Sequence, residues 1–279
     1  MDGLGIKYYL HMVGSTKKEL TIFTIATNKY WIYFLELLPN IREFIDPDWT
    51  LEIIVLTNKH PQGELVTGLS NVSVKVLPSN HQDWPNVTLM RYHEILKNQS
   101  SITSSNFLWL DVDMKFIQEF SPQLLQSDIH LALHPGYLFS LKGFFGLRLG
   151  EKKDFLVEEF SRKVSRKGSR GAWENNPEST AFVRPEQRKE YVHGAVWGGP
   201  TVEVLEMCRI LSIRVEKDLS CGDIATWHDE SHLNWYHANL PQLKFDYYFS
   251  GAVTHWTSNI SKTTVLSLDK SELDKRLGL

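Results

Sequence analysis

The chain has 279 residues, 42% of them hydrophobic and 23% charged, a balance that suits a folded core and argues against a disordered or low-complexity protein. A formal net charge of −3, with no basic run interleaved with aromatics, argues against a nucleic-acid surface. Two cysteines, Cys208 and Cys221, are too few for a disulfide framework or a thiolate metal cluster, and no apolar stretch is long enough to span a membrane.

Leu20 to Ala26 (LTIFTIA) reads as a short buried strand, followed by a loop at Thr27-Asn28 and a helix whose apolar positions are Trp31, Phe34, Leu35 and Leu38. Leu51 to Thr57 and Val72 to Leu77 are further strands, and Met90 to Leu96 begins a helix. Phe107 to Leu110 is an unbroken apolar run. This alternation predicts an α/β fold with a mixed, mostly parallel central sheet and ligands at the carboxyl ends of its strands. Beyond it lie a charged segment, 151–170, part of which is expected to be helical, a polar link, 174–189, and a glycine-containing block at Gly194, Gly198 and Gly199. No internal repeat or long linker divides the chain, so a single domain is expected: an extension over 1–19, then a catalytic domain over 20–279. Its nucleotide half would span about 20–115, its sugar and acceptor half 116–256 and its tail 257–279.

Four clusters carry chemistry. Asp111 and Asp113 follow the buried run, and strand alternation puts both carboxylates on one side, where a divalent cation would relieve their repulsion and neutralise a diphosphate. Asp-x-Asp is common in a chain with 33 acidic residues, and a solvated strand end is the bland alternative. Trp227-His228-Asp229-Glu230-Ser231-His232-Leu233-Asn234 is dense in ionisable groups. On a helix His228 and His232 share a face, so a zinc site competes, although Asp229 stands where a zinc hydrolase needs Glu. Glu230 suits a carboxylate facing a reacting sugar carbon. His134-Pro135-Gly136-Tyr137 offers an imidazole and a phenol on a turn. In Tyr191-Val192-His193-Gly194-Ala195-Val196-Trp197-Gly198-Gly199, small residues would admit a ligand close to the backbone. Nine tryptophans fit stacking on sugar faces, with most expected in the core.

Together these blocks resemble glycosyltransferase family 6, the histo-blood-group A and B transferases and the α-1,3-galactosyltransferases, from about Leu20 to Phe249. The resemblance implies a GT-A fold and a retaining transfer of galactose or N-acetylgalactosamine from UDP-galactose or UDP-GalNAc to the 3-hydroxyl of a β-galactoside, 2-fucosylated or not, with Mn²⁺ or Mg²⁺. By resemblance, Asp111 and Asp113 hold metal and diphosphate, with Val112 between them in the donor site. Glu230 is the nucleophile, Asp229 binds the donor sugar, and Trp227, His134 and Tyr137 meet the acceptor. Phe23, Ile25 and Tyr30 match the uridine pocket, Thr88 and Arg91 a donor-binding pair, and His193, Gly194 and Ala195 the donor-selecting tripeptide. His and Ala there lean towards galactose, while Gly194 reopens space for the larger acetamido group.

The chain also departs from the family. The loop from Phe23 to Tyr30 is longer than the vertebrate pattern, and Trp173-Glu174-Asn175-Asn176-Pro177 replaces Tyr-Glu-Arg-Arg-Pro and looks closer to bacterial members. Many of those carry Asn-x-Asn where this chain keeps Asp111 and Asp113. The tail after Trp256 does not match the basic tail of the vertebrate enzymes, with Lys262, Lys270, Lys275 and Arg276 as stand-ins. A microbial, cytoplasmic enzyme is the expectation, with the Golgi lumen as the alternative. A catalytically silent sugar-binding relative and a zinc hydrolase are the rival functions.

Overall fold

The computed structural model describes residues 17–59, 68, 70–134, 137, 152–153, 156, 169–239, 244–246 (backbone only) and 264–279. Its centre is a seven-stranded sheet in the order β3-β2-β1-β4-β7-β6-β8. The strands are β1 (Glu19–Ile25), β2 (Thr50–Thr57), β3 (Val72–Pro78), β4 (Asn106–Leu110), β6 (His130–Leu133), β7 (Val192–Pro200) and β8 (Lys244–Asp246). A two-stranded ribbon pairs β5 (Met114–Phe116) antiparallel with β9 (Val265–Ser267). The four runs expected as strands are strands, each within about a residue of the expected limits: β1, β2 and β4 are interior strands buried over most of their length, whereas β3 forms the sheet edge, with Val72 alone of its residues buried.

Six of the seven strands share one direction, and β7 runs against them, antiparallel to both β4 and β6. The architecture is the mostly parallel α/β sheet of a GT-A-like fold. The reversal of β7 has one direct result. The start of β7 lies at the same edge as the carboxyl ends of β1 and β4, and the Asp111 N–H donates to the Ala195 carbonyl at 2.9 Å.

Strand pleating divides the core. Leu108 and Leu110 face one layer with Tyr33, Phe34, Leu37 and Ile41 of α1 (Tyr30–Phe44). Phe107 and Trp109 face the other with Tyr92 and Ile95. The helix expected from Met90 is two pieces, α2 (Asn86–Leu89) and α3 (Arg91–Lys97), broken at Met90. α1 continues through Pro39 because its buried face continues: the Asn40 side chain donates to the Phe116 carbonyl at 3.0 Å and accepts the Phe116 N–H at 2.7 Å.

The second half contributes α4 (Thr201–Ser220), with a buried stripe of Val204, Met207, Cys208, Leu211 and Val215, and α5 (His228–Asn239). Helix α6 (Lys270–Leu277) is capped by Asp269, whose carboxylate accepts the Ser271 and Glu272 N–H groups. Of the charged segment expected to be partly helical, Lys152, Lys153 and Leu156 are helical, and most of the remainder lies outside the described residues. The glycine pair of β7 serves packing. A Cβ on Gly198 would meet the Phe107 carbonyl at 2.3 Å and one on Gly199 the Asp128 carbonyl at 2.9 Å, so both glycines admit neighbouring backbone.

Candidate active site

Arg91 opens α3 and is buried, yet its guanidinium reaches three separate segments. Nη1 donates to the Gly194 carbonyl, Nε lies 3.0 Å from Asp229 Oδ2, and Nη2 lies 3.5 Å from Asp111 Oδ1. The plane rests on the Trp109 ring, 4.6 Å from its centroid. Burial works against its charge, but Asp111, Asp229 and Glu230 outweigh that and hold it protonated. The expected donor pair is thus a hub, with Thr88 one helical turn earlier bonded to the Pro85 carbonyl and 3.3 Å from His228 Nδ1.

Around that one cation the carboxylates are in excess. Burial pushes Asp111 up to about 6, with Asp113 adding to the effect and Arg91 and Lys270 opposing it. Burial pushes Asp229 up to about 7, against Arg91 and together with Glu230 and Asp111. Glu230 is raised by burial as well, moderated by the Gly194 N–H, which it accepts at 2.9 Å, and by the Tyr191 phenol. Asp229 Oδ2 is buried and accepts no hydrogen bond among the described residues, despite its nearness to Arg91. Its pairing with Arg91 Nε is one of charge, off the line of a hydrogen bond.

The cleft has a volume of roughly 270 Å³, and its walls hold Thr88, Arg91, Asp111, His134, His193, Gly194, Ala195, Trp227, Asp229 and Glu230. Ten of the expected site residues therefore converge from segments more than a hundred positions apart. The other six, Phe23, Ile25, Tyr30, Val112, Asp113 and Tyr137, do not line it. Phe23 is fully buried and stacks on Phe107 and Trp109 at 6.0 and 6.2 Å, Val112 is in the core, and Ile25 lines a small neighbouring recess with Thr27 and Asn86. Tyr30 lies beneath the Lys270 ammonium, 5.6 Å from its ring, and that ammonium pairs with Asp113 at 3.2 Å. Among the described residues, Lys270 is therefore the tail cation that pairs with Asp113. Arg276 instead pairs with Glu36, and Lys262 lies outside the described residues.

Elsewhere in the cleft wall, His134 packs against Tyr137 at 4.6 Å and Tyr191 at 5.8 Å. Burial lowers His134 to about 4 and His193 to about 3, so both rings are neutral near pH 7. Trp227 stands 51% exposed at the mouth, and Trp84, which sequence reasoning passed over, is 71% exposed beside it with its ring on His228. Tyr191 was also passed over as a contact. Its phenol, buried against Trp173 and Tyr137, reaches Glu230.

Two carboxylates two residues apart suit a divalent cation by their chemistry, although Asp113 is paired with the Lys270 ammonium, which such a cation would displace. Asp111 presents a partly exposed carboxylate to the cleft, Asp113 stands two residues on, and the local charge is negative. Among the described residues no third His, Cys, Asp or Glu completes a ligand shell, so such a cation would draw its remaining ligands from water and substrate phosphates. Zinc fits less well. His228 faces the cleft and Thr88, whereas His232 is fully buried, 3.7 Å from Asp218 Oδ2. Cys208 and Cys221 are free thiols.

The comparisons follow the same blocks. Residues 160–271 match Glycosyltransferase family 6, a span containing the Trp173 block, the His193 tripeptide and the Trp227 to Asn234 motif. Over 266 residues the chain is 26% identical to the histo-blood group ABO system transferase 2 of Rattus norvegicus, covering 92% of this chain and 70% of that protein. The chain is a relative of glycosyltransferase family 6. Other family 6 relatives bracket it: the human globoside alpha-1,3-N-acetylgalactosaminyltransferase 1 is 25% identical over 228 residues, 80% of this chain and 58% of that protein. The Escherichia coli O-antigen biosynthesis glycosyltransferase WbnI is 22% identical over 232 residues, 82% of this chain and 86% of that protein. These relatives support a glycosyl-transfer role. No helix among the described residues is long and apolar enough to cross a membrane.

Proposed function

We propose that the protein is a retaining glycosyltransferase that moves galactose, or N-acetylgalactosamine, from its UDP sugar to the 3-hydroxyl of a β-galactoside, forming an α-1,3 linkage. The observation that carries this reading is the Arg91 hub, because one guanidinium ties the Asp111 end of β4, the His193-Gly194-Ala195 tripeptide and the Asp229-Glu230 pair into a single cleft. That arrangement suits a substrate with a diphosphate at one end and a sugar at the other.

In this reading Asp111 and Asp113 would hold a divalent cation, Mn²⁺ or Mg²⁺, whose positive charge would offset the negative charge of the diphosphate. Asp229, held beside the Arg91 guanidinium, takes a donor-sugar hydroxyl. Glu230, oriented by the Gly194 N–H, faces the anomeric carbon and offsets the positive charge that grows there as the bond to UDP breaks. The acceptor sugar lies between Trp227 and the His134–Tyr137 pair, and its 3-hydroxyl oxygen bonds to the anomeric carbon while its proton passes to the departing phosphate side. Galactose is the favoured donor, because His193 and Ala195 face the sugar. Gly194 adds little room, since a Cβ there would point at Asp229 Oδ2, 2.9 Å away.

A screen of UDP-galactose and UDP-GalNAc against lactose and 2′-fucosyllactose, with Mn²⁺, Mg²⁺ or excess EDTA, tests the reading. Metal-dependent product with an α-1,3 linkage is expected. Donor binding without any turnover would instead favour a silent sugar-binding relative.

A further inference from the structure

The Trp173-Glu174-Asn175-Asn176-Pro177 block belongs to none of the functions above, yet it holds a carboxylate that accepts three hydrogen bonds. Glu174 is 5% exposed. Its Oε1 accepts the Asn176 N–H at 2.7 Å, and its Oε2 accepts both the Thr226 N–H at 2.6 Å and the Thr226 hydroxyl at 2.9 Å. Thr226 directly precedes Trp227.

We propose that Glu174 is a positioning residue for the acceptor: it fixes the Ala225-Thr226-Trp227 turn and thereby the angle at which the Trp227 ring meets the acceptor sugar. The inference rests on the reading of Trp227 as the acceptor platform.

Three observations separate this role from general stability. First, the Trp227 ring is half exposed, so its position depends on its backbone more than on packing. That backbone is held by the Thr226 contacts to Glu174 on one side and by the Ser231 hydroxyl, which accepts the Trp227 N–H at 3.0 Å, on the other. Second, the far end of the Glu174 loop is itself anchored. Ser179 and the Thr180 N–H donate to Asp218 of α4 at 2.6 and 2.7 Å, and Arg188 donates to Asn175 at 2.8 Å. The loop is thus a strut from α4 to the turn. Third, Asp229 and Glu230 have their own supports in Arg91 and the Gly194 N–H. Loosening the strut should disturb Trp227 before it disturbs the donor-side carboxylates. A carboxylate is needed chemically because three donors converge on it; a glutamine would turn an amide N–H₂ towards one of them.

The test uses the full chain with UDP-galactose or UDP-GalNAc, whichever turns over, and lactose or 2′-fucosyllactose. Glu174→Gln should raise the acceptor KM about tenfold, the scale of one charge-assisted hydrogen bond, while leaving donor hydrolysis in the absence of acceptor within about twofold. In a double-mutant cycle, Glu174→Gln should add little to Trp227→Ala, since both act through one ring. Should Glu174→Gln fail to fold, Thr226→Val removes only the hydroxyl bond and should raise the acceptor KM by about threefold. An unchanged acceptor KM, equal losses in transfer and donor hydrolysis, or fully multiplicative effects with Trp227→Ala would overturn the proposal. Absence of any wild-type turnover would overturn the functional reading itself, and the inference with it.

Discussion

Two buried acidic clusters flank the helix that begins at His228, and they are built in opposite ways. Around Arg91, the carboxylates of Asp111, Asp229 and Glu230 share one guanidinium, and burial raises all three. Around the Glu174 strut, Glu174 and Asp218 are surrounded by backbone N–H groups and hydroxyls. Burial opposes the Glu174 charge, but those donors more than compensate and hold its carboxyl below its ordinary value. A carboxylate whose hydrogen bonds are met by its own chain is architecture. One left raised and partly unpaired is poised for a ligand that brings positive charge or hydroxyl donors.

The sharpest way to break that contrast is at Glu230. Glu230→Gln should lower the rate of transfer about a thousandfold, the scale of losing one group that stabilises developing charge, with donor affinity little changed. Single-turnover rates and donor titration measure the two, and a fully active variant removes Glu230 from the chemistry. Next is Arg91→Lys, which keeps a charge but loses the planar fork that reaches three segments at once. We expect about a hundredfold loss in kcat/KM and an acid limb of the pH profile displaced upwards, as Asp111 and Asp229 lose their shared cation. Excess EDTA should abolish turnover and Mn²⁺ restore it; undiminished activity in chelator would leave Asp111 and Asp113 without their assigned part.

The smallest effects are in stability, and here the two clusters should respond to pH with opposite signs. Asp229, at about 7 in the fold, lies above its unfolded value, so the fold is favoured while it is protonated, and that advantage is lost as pH rises through about 7. Asp229→Asn, in chelator, should therefore raise the melting temperature most at pH 8 and less at pH 5, the difference building up between the unfolded carboxylate range and about pH 7. Glu174 is depressed in the fold, so its contribution is present above the unfolded carboxylate range and fades as pH falls below it. Glu174→Gln should cost stability at pH 7 and less at pH 4. Melting curves of both variants at three pH values test the pair, and shifts of one sign in both would erase the distinction drawn between the clusters.

Much of the scaffold was legible because buried central strands are continuous apolar runs, whatever their partners. The direction of β7 was not, since nothing within Val192–Pro200 records whether its neighbours run with it or against it. Helix α4 carried a plain 3.6-residue stripe from Val204 to Val215, a signal present but passed over. At the site, the local motifs were readable, and the cross-links were not. Arg91 meets Gly194 and Asp229 across more than a hundred positions, and Glu174 meets Thr226 across 52. Phe23 shows a related limit: pleating assigns it to a face of the sheet, but only the packed structure reveals that Phe107, Trp109 and Trp197 fill that face.

The antiparallel run of β7 has a consequence for how such a protein can change its substrate over evolutionary time. Two of the three residues proposed to face the donor sugar are also backbone partners of the cleft's charged groups: Arg91 holds the Gly194 carbonyl, Glu230 takes the Gly194 N–H, and Asp111 donates to the Ala195 carbonyl. Substitutions that alter only the side chains at 193 and 195 leave those bonds intact. A side chain at 194 would press on Asp229 and Arg91. Drift in donor preference is thereby channelled through the two outer positions, with the middle one frozen unless the charge cluster behind it changes in the same lineage.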